Sequence, residues 1–358
     1  MANSPTVSVV LVIRDVEGFL GEAIESILSQ TFTDFEFIIV DFGSKDSSKE
    51  IALRYAAADR RIKVSAVLPS SYIQAKIEAC KIPTGRYIAI QDADDISLPD
   101  RLKLQVEFLD AHQEYGMVGG AVQWIDLHGQ PIQSGADYPT DDNEIRVQLK
   151  TRNTFWHPTV LMRRETYERV GGYRAAFSQS DDYDLWLRIV EHYRCANLKA
   201  KVLHYRIHPQ QLSLRKRKDQ ILCALAAQAA AGLRAAGKPD PLDATQEITG
   251  ELLIRMGVSE AEQQKNLASG YSGYINHMFE AGGYAAVPEA VAEMLKVCQG
   301  PYLDPRLASD MHMLCAKSFW KQRKVISGLI SATRAVRTRP RLLGRPLRLL
   351  VEGLHVLY

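Results

Sequence analysis

Three aspartates stand within four residues at Asp92-Ala93-Asp94-Asp95, directly after the strand-like run Arg86-Tyr87-Ile88-Ala89-Ile90. Side by side, such carboxylates repel one another unless solvent separates them or a cation neutralises them. Hard cations such as Mg2+ or Mn2+ take oxygen ligands of this kind and share them with the phosphates of a substrate. The same residues also suit a helix start, because Leu98-Pro99-Asp100-Arg101-Leu102 follows and Asp and Pro favour the first turn. Alone, the cluster supports either a metal site or a cap. A second acidic group, Asp181-Asp182-Tyr183-Asp184, opens the helical run Leu185 to Val190. By residue type the group fits the general preference of Asp for helix N-termini. His157 and His208 each precede a proline, and imidazole is a common metal ligand, although this spacing by itself selects no metal. Trp124 and Trp186 read as core aromatics before they read as sugar platforms.

The elements that must position these groups are visible in the hydrophobic pattern. Val7 to Ile13 is short, β-branched and nearly all apolar, as expected of a strand covered on both faces of a parallel sheet. Ala23, Ile24, Ile27 and Leu28 have helical spacing, and Phe35 to Val40 is a second strand-like run. A helix over Lys49 to Ala57, a weak strand at Ile62 to Val64, a polar helix near Tyr72 to Cys80 and the strand before Asp92 continue the alternation. That order predicts a doubly wound α/β domain, with ligands beyond the carboxyl ends of the strands, where Asp41 and Asp92 fall. The character changes after about residue 215. Ile221 to Ala236 is an alanine-rich helix ending at Gly237, and further helices are expected over Glu260 to Glu280, Pro288 to Val297 and Pro305 to Lys324. The domain expectation is 1–218 for the α/β part and 219–358 for a helical part with a basic amphipathic tail.

A chain of 358 residues with 46% apolar content can bury a sizeable core and exceeds one ordinary domain. Its formal charge of +2 gives no case for a nucleic-acid partner. Five cysteines without a CxxC pair suggest neither a disulfide framework nor a thiolate zinc site, so reduced thiols are expected. No run approaches a membrane span, so the expected location is cytoplasmic, with the inner face of the membrane as a further expected place. That second place rests on the C-terminal region. Between Asp310 and Glu352 the sequence has no acidic residue, while Lys and Arg alternate with aliphatic side chains. Residues 317–350 therefore fit a surface against anionic lipid, or equally a solvated face or a protein contact.

From Val7 to Ser213 the sequence resembles the family 2 glycosyltransferases. The segments that carry the resemblance occur in order: Val7-Ser8-Val9-Val10, Ser26-Ile27-Leu28-Ser29-Gln30-Thr31-Phe32, Phe35 to Asp41 with Gly43-Ser44-Lys45-Asp46, and Gly85 to Asp95. His157-Pro158-Thr159-Val160, Val170-Gly171-Gly172-Tyr173, Asp181 to Arg188 and Tyr205-Arg206-Ile207-His208 follow. The resemblance implies a GT-A fold, a mostly parallel α/β sheet domain followed by an α-helical C-terminal region. It implies inverting transfer from a nucleotide sugar, UDP-, dTDP- or GDP-linked, to a saccharide or lipid-linked acceptor in surface polysaccharide assembly. Asp94 is then the direct ligand of Mn2+ or Mg2+, Asp92 contacts the ribose or the metal shell, and His208 reaches the metal or diphosphate. Asp182 is the catalytic base, with Asp181 standing where the family usually has Glu. The nucleotide pocket would take Val12, Arg14 and Asp41 together with Asp92 and Asp94.

Two positions depart from the family pattern. Phe42 follows Asp41 where a second Asp commonly accepts the imide N–H of uracil, and Arg14 ends the first strand where Thr-Tyr-Asn-like residues are usual. Phe cannot accept a hydrogen bond, so the base must be read in another way. The same two departures are the support for an alternative in which the chain is a catalytically silent binding or scaffold protein. A nucleotidyltransferase of similar sheet architecture would need a Gly-rich, basic phosphate loop near residue 14, which is absent.

Overall fold

The apolar runs near the N-terminus form the centre of an eight-stranded sheet in the computed structural model of the chain, which describes residues 4–66, 71–132, 138–208, 216–280, 282–298 and 302–339. The strands are β1 (Val7–Ile13), β2 (Phe35–Asp41), β3 (Ile62–Ala66), β4 (Tyr87–Gln91), β5 (Ile96–Ser97), β6 (Tyr115–Ile125), β7 (Leu161–Arg163) and β8 (Arg194–Arg206). Their order is β3-β2-β1-β4-β7-β6-β8-β5. The first four are mutually parallel, β7 runs antiparallel between β4 and β6, and β6 and β8 are parallel. β1, β2 and β4 are buried along nearly their whole length, and this is why their runs are mostly apolar.

Helices α1 (Glu17–Leu28), α2 (Ser48–Ala58), α3 (Tyr72–Ala79) and α4 (Arg101–Ala111) link the parallel strands and the acidic turn. After β6 come α5 (Asp142–Leu149), α6 (Arg164–Arg169) and α7 (Asp181–Ile189). Local chemistry sets their starts: Ser71 Oγ accepts the Gln74 N–H at the head of α3, and Asp141 accepts the Asn143 and Glu144 N–H groups at the head of α5. The core under the sheet joins Val9, Leu11, Ile13, Phe37, Ile39 and Ala89 to Leu20, Ile24 and Leu102 on the helices.

β6 and β8 approach closely because β6 carries paired glycines. A Cβ at Gly120 would lie 2.6 Å from Val202 Cγ2, and one at Gly119 would lie 2.3 Å from Asn197 Oδ1. Only glycine lets these strands pair at that separation.

The chain divides into two compact units, Met1–His208 with Ala226–Ile248, and Pro209–Leu225 with Thr249–Tyr358. The boundary expected between 218 and 219 falls inside α8 (Arg217–Ala235), whose two halves belong to different units. The second unit is helical, with α9 (Gly250–Arg255), α10 (Glu260–Glu280), α11 (Val287–Val297), α12 (Pro305–Lys321) and α13 (Val325–Thr338). Leu267, Tyr271, Ile275, Val291, Met294 and Met311 form its own core. Among the described residues no helix is long and apolar enough to cross a membrane. Of the basic segment 317–350, residues 340–350 lie outside the described residues. All five cysteines are buried free thiols.

Candidate active site

Register alone brings the first site residues together. Leu11 pairs with Gln91, Val12 with Val40 and Ile13 with Asp41, so the ends of β1, β2 and β4 open onto one rim. A hollow there is lined by Val12, Tyr72, Lys76, Asp92, His157 and Tyr173, among others. Asp41 is buried, and its Oδ1 accepts Ser44 Oγ–H at 2.6 Å and Ser44 N–H at 3.2 Å, which fixes the turn after β2. The Arg14 guanidinium stands 4.8 Å from the Phe42 ring centre, and that ring lies 6.4 Å from Tyr72. The two residues that depart from the family pattern are thus in contact with each other.

The acidic turn is held from below by Arg101, the first residue of α4. Its guanidinium is fully buried and donates to Ile90 O at 2.7 Å, Gln91 Oε1 at 2.9 Å and Ser97 Oγ at 2.8 Å. Burial pulls this guanidinium down to about 9, against the opposing charges of Asp92 and Asp95. From the other side Arg206, at the end of β8, donates its backbone N–H to Asp95 Oδ1 at 2.8 Å and its Nε–H to Asp94 O at 2.9 Å. The turn is consequently clamped between the start of the next helix and the end of β8, more than a hundred residues away.

Each carboxylate has a different setting. Asp94 Oδ2 lies 2.9 Å from His208 Nε2, while the buried His208 Nδ1 has no partner among the described residues. Asp92 Oδ2 lies 3.3 Å from His157 Nδ1, and the far nitrogen of that ring meets the Tyr173 hydroxyl at 3.0 Å. Burial pushes the Asp92 carboxyl up, but His157, Lys76 and Arg101 outweigh it and hold the group below its ordinary value. Asp95 is raised well above the usual range, by burial first and then by Asp94 and Asp92. Its Oδ2 is buried and unpartnered among the described residues. An orphaned carboxylate oxygen beside two further carboxylates and an imidazole is a donor set that suits a hard divalent cation. Among the described residues no three such side chains already converge as a metal-holding group. That spacing is compatible with an ion that takes one or two protein ligands and completes its shell with phosphate and water.

Asp181 and Asp182 begin α7, where N-terminal N–H groups favour negative charge. Ser180 before them has a left-handed backbone, φ 53°. Asp181 Oδ2 is paired with Lys76 Nζ at 2.6 Å, both side chains being about nine-tenths buried at 12% and 10% exposure. The Lys76 ammonium also sits 5.4 Å from the Tyr72 ring centre and 5.1 Å from that of Tyr173. Asp182 points elsewhere and accepts Asn153 Nδ2–H at 2.8 Å. Burial raises its carboxyl above the ordinary value, helped by Asp181 and opposed by His157 and Lys76. Asp184 lies on the core side of the helix, wholly buried in ion pairs with Arg174 and with Arg188 at 2.8 Å. This network anchors α7, and Gly171 and Gly172, both with positive φ, turn the chain so that Tyr173 reaches His157.

Lys76 and Asn153 carry no signal that the residue pattern exposes, while Tyr173 and Arg101 fall in segments the pattern marks without showing what they hold. His157, read from sequence as one of two histidines before prolines, is the ring between Asp92 and Tyr173. Trp186 is fully buried and Trp124 nearly so, consistent with their expected core roles.

An eight-stranded, mostly parallel sheet whose acidic turn follows β4, with helices after it, is the GT-A fold. Solved structures agree. The Staphylococcus aureus TarS 1-349 complex with UDP-GlcNAc superposes with a TM-score of 0.53 at 15% identity, over 94% of this chain and 92% of that one. The Pyrobaculum calidifontis mannosyltransferase PcManGT, in complex with GDP-Man and Mn2+, gives 0.52 at 18% identity, over 93% and 88%. At these identities the likeness is one of fold.

The sequence comparison goes further, because the Glycosyl transferase family 2 model matches residues 8–171. The putative glycosyltransferase EpsE of Bacillus subtilis is 37% identical over 58% of this chain and 74% of its own length. The O-antigen biosynthesis glycosyltransferase WbnJ of Escherichia coli is 33% identical over 56% and 80%. The chain belongs to glycosyltransferase family 2.

Proposed function

We propose that the chain is an inverting glycosyltransferase that moves a sugar from a nucleoside-diphosphate sugar to a saccharide or lipid-linked saccharide acceptor in surface glycan biosynthesis. The observation that supports this reading is a pair of carboxylate settings near one hollow, which Asp92, His157 and Lys76 line, with His157 and Lys76 also acting on Asp182 by charge. On one side Asp92 and Asp94 stand beside two imidazoles, and on the other Asp182 is held by Asn153 and kept apart from the Lys76–Asp181 pair. Relatives named for O-antigen and amylovoran biosynthesis support the glycan assignment. Residues 1–218 are the catalytic domain in this reading, and 219–358 the helical domain.

Asp94 and Asp92, with His208, hold Mn2+ or Mg2+, which when bound neutralises the charge that develops on the departing diphosphate. Val12, Arg14 and Asp41 line the base and ribose end, and the donor is a UDP-, dTDP- or GDP-sugar. Asp182 takes the proton of the acceptor hydroxyl while that oxygen bonds to the anomeric carbon and the bond to the diphosphate oxygen breaks. A raised carboxyl is the stronger base, and the Asn153 hydrogen bond fixes its direction. Lys76 pairs with Asp181 and so holds that carboxylate away from the proton transfer.

Calorimetric titration with UDP, dTDP, GDP and CMP in Mn2+ tests the reading. At least one diphosphate should bind with a requirement for the metal, and Asp94→Ala should abolish that metal-dependent binding. No binding to any of the four would favour a scaffold role for the Arg14–Phe42 variant pocket.

A further inference from the structure

The helical unit carries an apolar surface that the sugar-transfer chemistry does not use. Helix α13 packs its small residues Gly328, Ser331, Ala332 and Ala335 inward, all buried. The fit against α12 is close, since a Cβ at Gly328 would lie 2.1 Å from Trp320 Nε1. That contact fixes the rotation of the helix and leaves its opposite face outward. There Val325, Ile326, Leu329 and Ile330 are 39%, 76%, 41% and 50% exposed, an unusual share for aliphatic side chains one turn apart. Thr333, the next residue along this face, donates its hydroxyl to Leu329 O at 2.9 Å and so presents little unmet polarity.

Charge decides what this face fits. Lys321, Arg323 and Lys324 precede the aliphatic stripe, Arg334 and Arg337 follow it, and the sequence has no acidic residue between Asp310 and Glu352. An apolar stripe two turns long and one helix wide is small beside the roughly 800 Å² per partner of a standard protein interface. A protein partner would also have to supply matching acid at both ends. An anionic lipid leaflet meets both conditions, because it accepts aliphatic side chains at shallow depth and its headgroups neutralise flanking cations.

We infer that α13 docks on anionic membrane surface, with Ile326 and Ile330 inserted below the headgroups and the flanking Lys and Arg side chains on phosphate. The enzyme would then work along a leaflet, where a lipid-linked acceptor is presented. The docking inference itself does not depend on donor or base assignments, since lipid binding can be read without sugar transfer.

The test is partition of the full chain onto vesicles of phosphatidylcholine alone and of phosphatidylcholine mixed with phosphatidylglycerol. If two basic side chains reach the headgroups, each contributing about fivefold, the anionic vesicles should bind roughly 25-fold better. Raised salt should remove most of that preference. The Ile326→Glu, Ile330→Glu double variant changes exposed positions and should keep its circular dichroism and nucleotide binding while losing at least about tenfold in partition. Ile326→Leu with Ile330→Leu should bind as the parent does. Equal partition of the Glu variant and the parent, or no preference for anionic vesicles, would overturn the inference. So would a concentration-dependent doubling of mass without lipid that the Glu variant abolishes, because the face would then belong to a second copy of the chain.

Discussion

Replacing Lys76 by Met removes one half of a buried ion pair and leaves the other in place. Lys76 Nζ and Asp181 Oδ2 are 2.6 Å apart, with 10% and 12% of their side chains exposed. Stranding one partner of such a pair costs about 3–5 kcal/mol, mostly for the charge left without compensation. Loss of the ammonium from between the Tyr72 and Tyr173 rings adds a smaller term, about 0.5–1 kcal/mol. Lys76→Met should therefore lower the unfolding free energy by about 4 kcal/mol in urea titration, with little change in the slope. Asp181→Asn leaves the ammonium buried and should cost a similar amount. The double variant should cost clearly less than the sum, with a coupling of about 2–3 kcal/mol. Catalysis supplies a second, independent reading. Lys76 lowers the Asp182 carboxyl and Asp181 raises it. The acid limb of the rate profile should consequently move up in pH for Lys76→Met and down for Asp181→Asn. Additive single variants, each costing less than about 1 kcal/mol, together with unmoved profiles, would refute the reasoning.

Glu36 is buried on β2 beside Ser8 of β1, where burial would raise its carboxyl but Lys63, Ser8 and Thr84 outweigh it and bring it to about 2. A carboxyl depressed from 4.5 in this way contributes on the order of 3 kcal/mol above pH 4.5, and that contribution drains away as pH falls toward 2. Chemical unfolding followed from pH 6 to pH 2 (approximate limits) should show this loss in the parent and a flatter curve in Glu36→Gln. Asp182→Asn should reduce turnover by about 10²–10⁴ with donor affinity retained, as read from kcat and from calorimetry. In the parent, the acid limb assigned to Asp182 should lie above the ordinary aspartate value of 3.8, because activity needs the ionised carboxylate and burial raises that group. Gly120→Ala forces a methyl to within 2.6 Å of Val202, and thermal denaturation should report a loss of about 1–3 kcal/mol.

The parallel half of the sheet is legible because β1, β2 and β4 are buried along nearly their whole length, which leaves mostly apolar runs interrupted only by single residues such as Ser8 and Glu36. β6 and β8 show no such strand pattern in the sequence. Gly119 and Gly120 weaken any strand signal in β6, and their purpose, the close approach of Asn197 and Val202, exists only once the sheet has formed. In the site, Asp92 and Asp94 stood out because they follow a strand directly. Lys76 did not, since the partner that gives it meaning is 105 residues away, and Asn153 is set 29 residues before the carboxylate it directs. His157 was visible as a residue type, but its place between Asp92 and Tyr173 depends on the turn made by Gly171 and Gly172. Long-range partners of single polar side chains have no periodicity, and so they escape pattern reading.

The central claim is that Asp92 and Asp94 hold a divalent cation at a nucleotide-sugar site that Asp182 faces. Release of nucleoside diphosphate from a panel of UDP-, dTDP- and GDP-sugars in Mn2+, by the parent and by Asp94→Ala, addresses it most directly. The account predicts metal-dependent release from at least one donor and a fall of about 100-fold or more in the variant. Undiminished release by Asp94→Ala, or equal release in the presence of a chelator, would contradict it.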